Sequence, residues 1–323
     1  MRLQLLSAAR LPLVLMNAPE AGFLGATVEL DLDGLDADVA ILGVPHGWPY
    51  PRPGATAGCA EAPSAVRRRA GRLALFRGHW DFDLDAPMLA ADGIRLVDAG
   101  DVPSEPADGR GNAAAITGAV SSIVSRGATP ICLGGDDSVT IPILRGLEAR
   151  GPLTVLQVDA HLDFRDEIDG VQEGFSSPMR RASEMAHVIR AVQVGLRGVG
   201  SARPTDRDAA LAAGNELVSA GELRAEGVAA VLARLSADAS VFVAFDVDGL
   251  DPATFPAASA LAPGGLTYAE ADELLAGIGP RLVGAAFTEY VPNLDVNEVG
   301  ALVVTRLAIR LAAGVGRHHN PQI

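Results

Sequence analysis

LTVLQVDAHLDFRDE, residues Leu153–Glu167, begins as an apolar run and ends as a string of acids. Val155–Val158 has the composition of a buried strand. Asp159, His161 and Asp163 follow at alternate positions. Side chains two apart in an extended chain point the same way, so these three can converge on one point. A strand that stays apolar until its carboxyl end and turns acidic there puts charge where open α/β sheets place their active sites. A lone Asp after a strand is often just a solvated loop residue, but here a second strand repeats the pattern. Val241–Phe245, VFVAF, runs into Asp246, Asp248 and Asp251. If the two strands are neighbours in a parallel sheet, their acids share one pocket. Carboxylates that close repel and take up protons unless cations neutralise them. A pair of divalent metals is the economical answer, with some of the Asp residues bridging.

With both stretches in view, the chain resembles the ureohydrolase family of arginases and agmatinases, as an agmatinase-like member. Asp159–Asp163 matches that family's DAHxD motif, and Phe245–Pro252 matches FDVDxxDP. Arg52–Ala55, Leu133–Asp136 and Gly265–Thr267 fall in the family's order, so the similarity covers most of the chain. The resemblance implies an α/β fold of three layers (α/β/α) around a mostly parallel sheet of about eight strands, as in arginase. It also implies a dinuclear site, Mn²⁺ with Ni²⁺ the other choice, and a homotrimer or homohexamer.

Two positions depart from the family pattern. Where the family's GGDH carries a metal-binding His, this chain has Gly134-Gly135-Asp136-Asp137. A carboxylate can ligate there as well, and hard oxygen donors suit Mn²⁺. The metal ligands expected are therefore Asp137, Asp159, His161, Asp163, Asp246 and Asp248, with Asp159 and Asp246 bridging. Asp137 adds a negative charge that should make a bound water less acidic than in the usual site. The second departure is Phe175, in Gly174–Ala182, at the position of the agmatinase proton-shuttle His. Phe cannot carry a proton; it would instead line the substrate site. His46, in the loop after the strand Val39–Val44, is the candidate replacement, and Asp251 the candidate acid for the departing amine. Glu289, in Glu289-Tyr290-Val291-Pro292, matches the family's ExxP glutamate that grips the guanidinium.

Composition narrows the rest. The chain has 323 residues and no linker or repeat that would divide it, so one domain over 1–323 is expected. Apolar residues make up 49% and aromatics only 4%, which suits an interior of Ala, Val, Leu and Ile in helix-on-sheet layers. A formal net charge of −14 argues against a nucleic-acid partner and would draw in a small cationic substrate, which the resemblance implies is a guanidino compound. Cys59 and Cys132 make no disulfide framework, and no stretch is long and apolar enough for a membrane span, so a cytoplasmic setting is expected.

Elsewhere, helices are expected at Pro63–Leu73, Asn112–Ser125, Ser138–Ala149, Pro178–Ile189, Gly221–Leu235, Thr267–Ile278 and Glu298–Ala313. Strands are expected at Ile94–Val97, Pro130–Leu133, Ala191–Val194 and Val283–Phe287, with Phe76–Pro87 as loop. Arg67–Arg69 should cover a helix face or a subunit contact.

Three functions remain open on these residues. The first is a metal-dependent amidinohydrolase releasing urea from agmatine or another guanidinoalkane or guanidino acid. The second is a formimino C–N hydrolase. The third is a catalytically weak metal-binding subunit supporting an active paralogue partner, which the loss of two family histidines would suit.

Overall fold

The computed structural model describes residues 14–51, 58–89, 93–199 and 201–319; the Arg52–Ala55 motif lies outside them. Eleven strands occur among these residues: β1 (Thr27–Val28), β2 (Val39–Val44), β3 (Trp80–Asp81), β4 (Ala86–Pro87), β5 (Leu96–Asp101), β6 (Thr129–Gly134), β7 (Leu153–Val158), β8 (Val188–Leu196), β9 (Glu216–Ser219), β10 (Ser240–Asp246) and β11 (Leu282–Thr288). Nine of them form one sheet in the order β1-β5-β2-β6-β11-β10-β7-β8-β9, while β3 and β4 make a small antiparallel ribbon. Every ladder in the large sheet is parallel.

The expectation that the two acid-tipped strands are neighbours holds. β10 pairs with β7, Phe245 opposite Val158, so their carboxyl ends are side by side. β11 and β6 continue the row on the other side of β10. Four adjacent strands thus end along one rim.

Both faces of the sheet are buried, which is why these strands are apolar throughout rather than alternating. Leu156, Val158, Val192, Val194, Val243 and Phe245 pack into the core on one face. Val155, Ala191, Phe242 and Ala244 pack into the core on the other. Phe242 and Phe245 are fully buried, each worth about 1.5–3 kcal/mol relative to exposure. Helices cover both faces, giving three layers.

Several sequence expectations need correction. The helix begun at Pro178 stops at Ala182, and β8 starts at Val188, so Val188, Val192 and Val194 satisfy the β preference of branched residues instead. Gly227, at φ 83°, splits the expected Gly221–Leu235 helix into Ala220–Glu226 and Val228–Ala233. The helix Pro204–Ala212 and strand β9 were not expected. Arg67 covers no surface. It is buried against Asp98, which it meets through Nε at 2.9 Å and Nη2 at 2.9 Å, and it also pairs with Asp101. Removing one partner of such a buried pair costs roughly 3–5 kcal/mol. Among the described residues no helix is long and apolar enough to cross a membrane.

Candidate metal centre

The rim at the ends of β6, β11, β10 and β7 is built strand by strand. After β7, the Asp159 carboxylate accepts from the His161 backbone N–H through Oδ1 (2.6 Å) and from Gln157 Nε2 through Oδ2 (2.6 Å). After β10, Asp246 accepts from the Asp248 N–H (2.8 Å), and Asp248 accepts from the Ala160 N–H (3.1 Å), tying the two strand ends together. These short loops leave the acids little freedom to turn away. The loop holding Asp248 is itself stapled by Arg197, whose guanidinium donates to the carbonyls of Gly195, Asp248, Gly249, Leu250 and Ala262.

Two groups of donor atoms each lie within 4.8 Å of one another: Asp159, His161 and Asp248, and Asp137, Asp159 and Asp246. Asp159 belongs to both, whereas Asp246, expected to bridge as well, belongs to one. Asp163, at φ 46°, lines the same pocket but joins neither group.

The electrostatics are those of crowded, desolvated acids. Burial first, and the neighbouring Asp159 charge second, hold the Asp137 and Asp163 carboxyls well above the usual range. Burial and then Asp248 do the same to Asp246. Asp159 is pushed up to about 6 by burial and by Asp248. His161 goes the other way: burial disfavours its charged form, but hydrogen bonds to Asp159 and Asp248 outweigh it and raise the imidazole to about 11.

The donor set fits divalent metal ions. Asp137 Oδ1 accepts from Thr140 Oγ1 (2.7 Å) and Thr288 Oγ1 (3.0 Å), whereas its Oδ2 is buried with no hydrogen-bond partner. A buried carboxylate oxygen left so is costly unless a cation takes its lone pair. Hard oxygen donors with one imidazole match what Mn²⁺ accepts.

Glu289, at φ 65° just past β11, reaches back across the rim. Its Oε1 accepts from the Asp137 N–H (2.8 Å), and its Oε2 accepts from Ser259 Oγ and from Cys59 Sγ (3.8 Å). Burial and the nearby Asp136 raise its carboxyl to about 8. A small cavity of about 170 Å³ opens beside it, lined by His161, Asp163, Phe175, Ser176, Ser201, Asp246, Asp248, Ser259, Ala260 and Glu289. Phe175 packs edge-on against Tyr50, ring centroids 4.7 Å apart, and Gly174 leaves no room for a Cβ beside that ring. A larger cavity of about 740 Å³, lined mainly by apolar residues such as Val14, Leu15 and Trp48 but also by Arg110, Arg145 and Glu173, holds none of these carboxylates.

Asp137 and Asp159 lie in the ligand groups behind the cavity wall, whereas Asp251 and His46 are in neither the ligand groups nor the described lining. Asp251 spends its carboxylate on the N–H groups of Ala253 (2.9 Å), Gly264 (2.7 Å) and Gly265 (3.2 Å), which lower its pKa. A carboxylate so engaged closes a loop and is a poor proton donor. His46 is half-buried near Asp136, Glu105 and Glu61; burial lowers its pKa more than these acids raise it. Conversely, Thr140, Thr288, Ser259 and Gln157 touch the centre and were not anticipated. Thr140 lies three residues after Asp137, where an N-terminal helical turn brings a side chain back; Ser259 has no local signal at all.

A parallel sheet presenting carboxylates and an imidazole from adjacent strand ends offers a site with the donors to hold metal ions. Residues 37–314 match the Arginase family model, described as "Arginase family". The chain is 36% identical over 228 residues to a guanidinopropionase from Pseudomonas aeruginosa, covering 68% of this chain and 71% of that one. It is 31% identical to proclavaminate amidinohydrolase from Streptomyces clavuligerus, covering 88% and 90%. The solved structure of a proclavaminate amidinohydrolase from that organism superposes with a TM-score of 0.82 at 27% identity, covering 94% and 99%. The chain belongs to the arginase family, and is a hydrolase of amidine C–N bonds.

Proposed function

We propose that the chain is a dinuclear-metal amidinohydrolase that cleaves a guanidino compound to urea and an amine. One observation carries this reading: Asp159 is shared by two buried ligand groups, one of which contains the partnerless Oδ2-bearing Asp137. The proposed ligands are Asp137, Asp159, His161, Asp163, Asp246 and Asp248, with Asp159 bridging. When bound, a pair of divalent ions supplies Lewis acidity and a water acidic enough to attack near neutral pH. The protein supplies the rest. Glu289, fixed by Asp137, Ser259 and Cys59, has a lone pair left on Oε1 to orient a guanidinium. Phe175, braced by Tyr50, offers an apolar wall to the alkyl part of the substrate. The lining serines add hydrogen-bonding groups, and the cavity size suits a compact linear molecule.

No Lys or Arg is among the described residues lining the cavity, which supports a guanidinoalkane such as agmatine. The similarity to a guanidinopropionase supports the other choice, a guanidino acid. Every titratable group on the described wall already serves as proposed ligand or guanidinium anchor, so proton return to the amine falls to one of these or to solvent. The reading includes a cytoplasmic homo-oligomer.

Urea release by the purified chain with Mn²⁺ and with Ni²⁺, across guanidinoalkanes, guanidino acids and a formimino substrate, tests the proposal. Urea from a guanidino compound is the expected result. An inactive native chain that gains urea release on Phe175→His would establish the weak-subunit reading instead. No metal uptake under any condition would remove the dinuclear site.

A further inference from the structure

We infer that Gln157, Gln193 and Asn215 form a one-directional carboxamide chain that sets the orientation of Asp159, which makes Gln193 and Asn215 positioning residues for the metal pair. The inference rests on the metal-ligand role proposed for Asp159. Gln157 and Gln193 are register partners on β7 and β8, and Asn215 immediately precedes β9. Asn215 Nδ2 donates to Gln193 Oε1 (3.0 Å), Gln193 Nε2 to Gln157 Oε1 (2.5 Å), and Gln157 Nε2 to Asp159 Oδ2 (2.6 Å). Gln193 Nε2 also donates to the Leu162 carbonyl (2.8 Å), inside the DAHxD segment. All three amides are buried.

The carboxylate dictates the polarity of this chain. An ionised Asp accepts only, so Gln157 must turn its NH₂ toward Asp159 and its oxygen toward Gln193. Gln193 must then donate, and its oxygen is left for Asn215. None of the three amides can flip without placing oxygen against oxygen. The chain occupies a sheet face where the neighbouring residues, Val155 and Ala191, are apolar core. Burying amides there is costly unless each is paired, and in such a medium each bond polarises the next. The outcome is an Asp159 whose Oδ2 holds the Gln157 Nε2 bond, while Oδ1 holds the His161 N–H with the His161 ring nitrogen 3.5 Å away. Oδ2, fixed by the amide chain, keeps a lone pair in a set direction for a metal ion. Partners behind a ligand commonly matter about 10–100-fold in metal affinity.

The experiment measures Mn²⁺ affinity by titration calorimetry, the EPR spectrum of the Mn²⁺-loaded chain, and Tm, for single Leu substitutions and for the triple. Gln157→Leu should weaken Mn²⁺ binding by roughly 10–100-fold. Gln193→Leu, which does not touch Asp159, should weaken it by about threefold or more and alter the EPR spectrum. It remains informative if Gln157→Leu fails to fold. The triple Gln157→Leu, Gln193→Leu, Asn215→Leu removes the amide-to-amide bonds with both partners and leaves the Leu162 carbonyl and Asp159 Oδ2 without their donors. Its Tm should recover toward the native value while the weak Mn²⁺ binding persists. A purely structural role predicts the reverse: Tm falls in Gln193→Leu with Mn²⁺ affinity within twofold of native and an unchanged spectrum. That result, or a triple variant with native Mn²⁺ affinity, overturns the inference. A native chain that binds no Mn²⁺ overturns the metal-site reading first, and this with it.

Discussion

The two ligand groups meet at Asp159 but solve the same problem differently. Asp159, His161 and Asp248 carry their own cation: His161 Nδ1 lies 3.0 Å from Asp248 Oδ2, and the ring is 23% exposed. Asp137, Asp159 and Asp246 are all buried and have no cationic side chain in the group. Two threonine hydroxyls quiet one oxygen of Asp137 and leave the other bare. The first group is close to self-sufficient without metal; the second is held together only by protonation or by a metal ion. The half of the site with the Asp-for-His replacement is therefore the half that depends most on its metal.

Asp159→Ala removes the residue common to both groups and should have the largest effect. Metal content should fall to trace by elemental analysis and turnover by roughly 10³-fold or more, as the loss of several kcal/mol of Lewis-acid stabilisation implies. Asp137→Ala and Asp248→Ala separate the halves. Each should leave about one tightly held Mn²⁺ per subunit, and finding two in either variant would erase the distinction drawn here. Asp137→His restores the residue of the resembled family and removes a negative charge. The acid limb of the pH–rate profile should then move to lower pH, since less negative charge makes a bound water more acidic.

The pH dependence of the metal-free chain sharpens the contrast. Asp159, at about 6, and Glu289, at about 8, have folded pKa values above those of ordinary carboxylates. The folded state therefore binds more protons than the unfolded state across this window. Stability is fully present below the ordinary carboxylate range and is lost as pH rises through 6 to 8. His161, raised from 6.5 to about 11, adds to the decline above pH 6.5, because the unfolded chain then gives up a proton that the folded chain keeps. Metal-free Tm should therefore fall between pH 5.5 and pH 8.5, and Mn²⁺ should flatten the decline while releasing protons on binding. A flat Tm without metal would show that the buried acids are not strained. The smallest effect is expected at His46, away from the pocket wall. His46→Ala should leave metal content unchanged and turnover within about threefold, against the 10²–10⁴-fold of a general acid or base. A loss on that larger scale would return the proton-carrying role to it.

Strand ends were legible because two local signals coincide there: an uninterrupted apolar run, and acids at period two directly after it. That is why the placement of Asp159, His161, Asp246 and Asp248 could be anticipated from residues alone. Asp251 shows the limit. It continues the same acidic pattern, yet the loop turns and its carboxylate caps Gly264 and Gly265. His46 follows a strand on the correct rim, but which way a loop side chain points is set by the packing around it. The Pro178 helix begins where expected and ends early because the valines beyond it join β8, which pairs with β7 and β9. Gln157 was visible all along as an amide within an apolar strand; its partner Gln193 lies 36 residues away, beyond any local pattern.

Arg197 has a consequence for recognition. Five main-chain carbonyls around the Asp248 loop are already occupied by a guanidinium that belongs to the protein. Carbonyls can accept from the same cation as carboxylates do, and here a guanidinium from within the protein already occupies them. The group that the proposed substrates carry thus also serves, as part of the chain itself, to hold the backbone that presents Asp248.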